Sequence, residues 1–180
     1  MNEGGKTLII STSITKGINP ARFNRAYDSD RCRFQRFPGG KAKKIKDYIP
    51  SHLYHEKPDT IYIQCGGNDL QDAYDPSLVS KLAADIIEAG VVCKNNKYVK
   101  TVFIGGVTIR RQTYTRDRCR ELNNLLREAC KTHNFVFVDN SNIIEDHLDS
   151  DGVHLNEKGD IMLANNILGY FNKKFGNASS

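Results

Sequence analysis

The sequence predicts a three-layer α/β/α domain on a five-stranded parallel sheet, of the flavodoxin-like type, and three observations predict it. Short apolar runs alternate with longer stretches whose apolar residues recur at helical spacing, the signature of a doubly wound sheet. The runs are apolar almost throughout, as suits parallel strands covered on both faces. The chain has 180 residues, the length of one domain with a core of its own. One domain is therefore expected over residues 1–180, with its core at about 6–175.

The elements follow in order. TLIIS (7–11) reads as the first strand. RCRFQRF (31–37), with Cys32 and Phe34 two apart among charged residues, reads as a shorter edge strand. TIYIQCG (60–66), KTVFIGG (100–106) and NFVFVD (134–139) supply the other three. Between them GKAKKIKDYIPSHL places Ile45 and Ile49 one helical turn apart. PSLVSKLAADIIEAGVVCK carries Leu78, Leu82, Ile86 and Ala89 on one stripe, with Pro76 as a start signal. TRDRCRELNNLLREACKTHN aligns Cys119, Leu122, Leu126 and Cys130, and EKGDIMLANNILGYFNKKF aligns Ile161, Ala164, Ile167, Leu168 and Phe171.

Composition bounds the function. A net charge of +5 permits an anionic partner without requiring one. The five cysteines are odd in number and form no CxxC or Cys/His cluster, so neither a disulfide framework nor a zinc site is expected. Cys65 reads as a small core residue, and the cysteine usage suits a reducing, intracellular, cytoplasmic setting. No apolar run is long enough for a membrane span.

In a parallel sheet the loops after the strands share one rim, where sites form. On that rim the sequence gathers Ser11, Thr12 and Ser13 after the first strand, then Pro38, Gly39 and Gly40 after the second. Gly66, Gly67, Asn68 and Asp69 follow the third strand, and DSDGVHLNEKG follows the fifth. A serine hydroxyl attacks a carbonyl only when a base takes its proton, and His154 is a candidate base. Asp151, three residues upstream, is placed to orient that imidazole. Asp149 competes for this role at a spacing that suits it less. Glycine N–H groups, the asparagine amide and a helix start after Ser13 are candidate stabilisers of an oxyanion. The plain readings are a helix cap for Ser13, turns for Asn68 and the glycine pair, and a surface histidine.

The serine at a strand end, FPGGKAKKI, GGND and DGVHLNEKG stand in the order of the four blocks of the SGNH (GDSL) hydrolase family, and the chain resembles that family over about residues 6–175. The resemblance implies a serine esterase acting on carboxylic (acyl) esters without metal or cofactor. It makes Ser13 the nucleophile and Asp151 and His154 its partners. The oxyanion donors become Ser13, Gly40 (with Gly39 the neighbouring alternative) and Asn68. FPGG and GGND look similar to the esterase domain of first-open-reading-frame proteins of LINE-type retrotransposons, which implies short acyl or lipid ester substrates.

The first block departs from the family's Gly-Asp-Ser. Ser11 and Thr12 stand in place of the glycine and the aspartate, and a side chain at 11 matters only if the backbone there is left-handed. The alternative function is a weakened domain that binds RNA or protein. Lys41, Lys43, Lys44 and Lys46 form a basic face suited to weak nucleic-acid contact, and Arg110 and Arg111 on the same rim add to the attraction for an anion. Tyr74 and Tyr114 are candidates to line a pocket or to cover loops.

Overall fold

A computed structural model describes residues 5–27, 31–72 and 75–176. Five strands, β1 (Thr7–Ser11), β2 (Cys32–Arg36), β3 (Thr60–Gln64), β4 (Thr101–Gly105) and β5 (Val136–Val138), pair in parallel in the order β2-β1-β3-β4-β5. All five predicted strands are present, and β2 lies on an edge as its charged residues require. The five helices are α1 (Pro20–Ala26), α2 (Ala42–Glu56), α3 (Leu78–Lys94), α4 (Thr113–His133) and α5 (Glu157–Phe175).

Each strand divides its side chains between two cores, because successive residues point to opposite faces. Leu8 and Ile10, Ile61 and Ile63, and Val102 and Ile104 pack with Ile45, Ile86 and Leu122 from α2, α3 and α4. Ile9, Tyr62, Phe103 and Val138 face the other way, onto Phe23 of α1 and Leu163, Ile167 and Phe171 of α5. The three-layer architecture is therefore present, with both sheet faces covered.

Two predicted helical stripes hold except at their first residue: Leu82, Ile86 and Ala89 of α3 are buried, as are Ile167 and Phe171 of α5, with Ala164 and Leu168 packed beside them. In α3 the buried positions include Val79, Leu82, Ala83 and Ile86, while Leu78 stands at the first turn, only partly buried. In α5 Ile161 is exposed, and Leu163 takes the core position with Ile167 and Phe171. The four residues picked for α4 are all buried. The helix expected directly after Ser13 is only a single 3-10 turn, Ser13–Thr15, and α1 begins later at Pro20, capped by Asn19. Among the described residues no helix is long and apolar enough to cross a membrane.

Candidate active site

The first loop leaves β1 with Ser11 fully buried, its hydroxyl 2.7 Å from Thr15 Oγ1. Arg36 at the end of β2 donates to the same Thr15 oxygen at 3.1 Å and to the Ile18 carbonyl at 2.8 Å. Ser11 is not among the positive-φ residues, so the departure from glycine costs no left-handed strain, and its hydroxyl is absorbed in this network. Thr12, not Ser13, caps the 3-10 turn, and its N–H reaches the Gln64 carbonyl of β3 at 3.3 Å. Ser13 is thus released from capping and stands half-buried between Thr12 and Ile14.

The last loop brings His154 to it. Ser13 Oγ lies 3.1 Å from His154 Nε2, across 141 positions of sequence. His154 Nδ1 lies 2.6 Å from Asp151 Oδ2. Asp151 Oδ1 accepts the backbone N–H groups of Val153 and His154 at 2.8 and 2.9 Å. These three donors, the imidazole first, hold the Asp151 carboxyl well below the usual carboxylate range. An ionised Asp151 takes Nδ1–H and leaves Nε2 as the acceptor for the serine proton. Of the two candidate aspartates, Asp151 is the one whose carboxylate reaches the imidazole. The Asp149 backbone instead shapes the loop, its N–H bonded to the His154 carbonyl at 2.7 Å and its carbonyl accepting from Gly152 at 2.9 Å.

The middle loops meet each other. Asn68 Nδ2 donates to the Gly40 carbonyl at 3.0 Å. Gly39 adopts φ +68°, which closes a turn in which the Gly40 N–H donates to the Phe37 carbonyl at 2.9 Å. The N–H that would make Gly40 an oxyanion donor is thus engaged in its own turn, and what Gly40 offers its neighbours is a carbonyl that aligns Asn68. The Asn68 amide carries a second Nδ2 hydrogen beyond the one given to Gly40. Gly66 adopts φ +113°, with Ile86, Leu122 and Val107 against any added Cβ, so the GGND turn admits only glycine there.

Two further residues, to which the sequence alone assigns no role, hold this arrangement. Asp69 accepts the Ala42 N–H through both carboxylate oxygens, at 3.3 and 3.1 Å, and so caps α2 from another loop, because Lys41 at the cap makes no such bond. Asn156 caps α5 by accepting from the Gly159 N–H at 3.0 Å and donates to the Asp146 and Leu148 carbonyls, fixing the loop that carries His154. An asparagine just before EKGD was the available signal for the second; nothing local marks the first.

The basic face is smaller than its sequence suggests. Lys41 pairs with Asp72 at 2.8 Å, and Lys46 with Asp85 at 2.9 Å and Glu88 at 2.7 Å, leaving Lys43 and Lys44 exposed beside them. Tyr114 covers a loop, its hydroxyl donating to the Asp72 carbonyl at 3.0 Å with Arg118 over its ring. Tyr74 lies outside the described residues.

A model of the GDSL-like lipase/acylhydrolase family matches residues 13–160, which run from the serine loop past the histidine loop. The chain belongs to that family. Its acylhydrolase architecture recurs in solved structures of low identity. One is a catalytic mutant of Axe2, an acetylxylan esterase from Geobacillus stearothermophilus, 18% identical over 94% of each chain with a TM-score of 0.76. Another is a GDSL-like lipase from Bacteroides thetaiotaomicron, 17% identical over 94% of this chain and 89% of that one, at 0.71. A third is LAE5, an alpha/beta hydrolase enzyme from the metagenome of Lake Arreo, 18% identical over 92% and 94%, at 0.70. At such identities the shared property is the fold. A search of curated proteins returned no match.

Proposed function

We propose that this GDSL-family chain is a serine esterase that hydrolyses carboxylic esters. The observation that carries the reading is the continuous chain from Asp151 Oδ2 to His154 Nδ1 at 2.6 Å and from His154 Nε2 to Ser13 Oγ at 3.1 Å. His154 takes the serine proton as Oγ bonds to the acyl carbon. The carbonyl oxygen becomes an oxyanion held by the Ser13 N–H and the free hydrogen of Asn68 Nδ2. Gly40 joins them as a donor only by leaving the Phe37 carbonyl. The bond to the leaving oxygen then breaks, and His154 returns the proton to that oxygen. Water, deprotonated by His154, releases the acid and restores Ser13. No step requires a metal or cofactor.

The kinship with retrotransposon esterase domains is part of this proposal and rests on FPGG and GGND. The alternative of a nucleic-acid module gains little, because two of its four lysines are already committed to carboxylates. The deciding measurement is hydrolysis of 4-nitrophenyl acetate and butyrate by wild type and Ser13→Ala, with circular dichroism on both. Turnover by wild type that falls by about 10³ or more in a folded Ser13→Ala protein is expected. Equal rates in the two folded proteins would rule the nucleophile out.

A further inference from the structure

Ser13 stands on a turn beyond the end of β1, and two neighbouring strands fasten that turn. It closes on itself through the Lys16 N–H to the Ser13 carbonyl at 2.9 Å and the Ile18 N–H to the Thr15 carbonyl at 3.0 Å. On the near side β3 holds it, the Gln64 carbonyl accepting the Thr12 N–H. On the far side the fastening is one side chain. Among the described residues, the hydrogen bonds that join residues 14–18 to a strand other than β1 both come from Arg36 of β2, to Thr15 Oγ1 at 3.1 Å and to the Ile18 carbonyl at 2.8 Å.

The strand register puts the arginine there. Arg36 pairs with Ser11 in the parallel β1–β2 ladder, so its side chain leaves the sheet beside the residue at which the nucleophile loop begins. Its guanidinium meets Thr15, Ile18 and the Phe34 ring, which lies 4.8 Å from Cζ, and none of these is a carboxylate. A guanidinium is planar and carries its donors in a fixed fork, so Nε and Nη2 grip two acceptors three residues apart at once. A lysine ammonium is a single point. Thr15 is fully buried and also meets the buried Ser11 hydroxyl at 2.7 Å, which ties the grip back to β1. The serine is thus carried on a turn held by β3 before it and by β2 after it.

We infer that Arg36 is a positioning residue for the nucleophile: by holding Thr15 and the Ile18 carbonyl it fixes the turn on which Ser13 Oγ lies 3.1 Å from His154 Nε2. It touches none of the reacting atoms and acts through the loop. In its kinetic form this rests on the esterase reading, while the placement of the serine against the imidazole can be read without turnover.

The test compares wild type with Arg36→Met, which keeps an apolar stem and removes both donors, and with Arg36→Lys. Stopped-flow release of 4-nitrophenol from 4-nitrophenyl butyrate gives the maximal rate and the half-saturating ester concentration. Arg36→Met is expected to lower the maximal rate by about 10²-fold, the effect of a misplacement of about 1 Å, with the half-saturating concentration held within about twofold. Arg36→Lys, which reaches one acceptor at a time, is expected to recover part of the rate. A folded Arg36→Met protein with a maximal rate within about threefold of wild type, or with its loss carried by the half-saturating concentration, overturns the inference. If Arg36→Met does not fold, Thr15→Val, which removes the acceptor of Nε with little change of shape, is read in the same way. A wild type without turnover defeats the esterase reading, and the NMR shift of His154 Nε2 then decides the positioning. Ser13→Ala supplies the shift of the imidazole without its serine. Arg36→Met is expected to move toward that value, and a signal that coincides with wild type overturns the inference.

Discussion

At the residue scale the site is a set of hydrogen-bond commitments. Ser13 is available because Thr12 and Ser11 take the capping and packing duties around it. Asn68 is aligned by the Gly40 carbonyl, and in the proposed mechanism its other amide hydrogen holds the oxyanion. Asn68→Ala is therefore expected to lower kcat by about 10²–10³ with the fold retained. Steady-state kinetics with circular dichroism check this, and an unchanged kcat would remove Asn68 from the oxyanion site. The block departures at Ser11 and Thr12 were visible in the sequence. That Ser11 meets no left-handed backbone strain was not, because this depends on backbone angles and on the Thr15 hydroxyl, which come from the folded loop.

At the element scale, strand ends and helix starts are tied across loops. The start of α2 has no cap of its own, and Asp69 supplies one from the loop after β3. Burial pushes the Asp69 carboxyl above its ordinary pKa, so its two contacts with the Ala42 N–H matter to its placement. Asp69→Ala is expected to lower stability by about 1 kcal/mol, read from the urea midpoint. It should also reduce kcat, because the FPGG and GGND loops lose one of their links. A stability loss with kcat untouched would separate the cap from the site. Helix periodicity was legible for α4, where the apolar stripe is clean. It held for most of the α3 and α5 stripes and failed at their first residues, Leu78 and Ile161, where the sheet takes Val79 and Leu163 instead.

At the scale of the whole molecule, five parallel strands bring loops that are far apart in sequence to one rim. The core beneath α5 holds that rim together. Phe171 is fully buried against Phe103, with ring centroids 4.9 Å apart, and edge-on to Phe23 and Tyr62 at 6.4 and 6.3 Å. Phe171→Ala is expected to cost about 3–5 kcal/mol, a large share of the roughly 5–15 kcal/mol typical of a domain. Chemical denaturation would measure it, and a loss below about 1 kcal/mol would show that this aromatic cluster repacks.

The sequence by itself determined the strands, their parallel arrangement and the family's four blocks, because strand patterning and short motifs are local properties. It also determined that a serine, an asparagine and a DxxH pair would share a rim, since parallel strands all end on the same side. Only the tertiary structure decided which polar groups are free. The Gly40 N–H is taken by Phe37, Lys41 and Lys46 are paired with carboxylates, and Arg110 is buried against the Gly67 backbone. Each of these depends on how neighbouring groups are packed and paired in space, and hydrogen bonds and ion pairs of that kind are set by the packed geometry, to which residue type alone gives no guide.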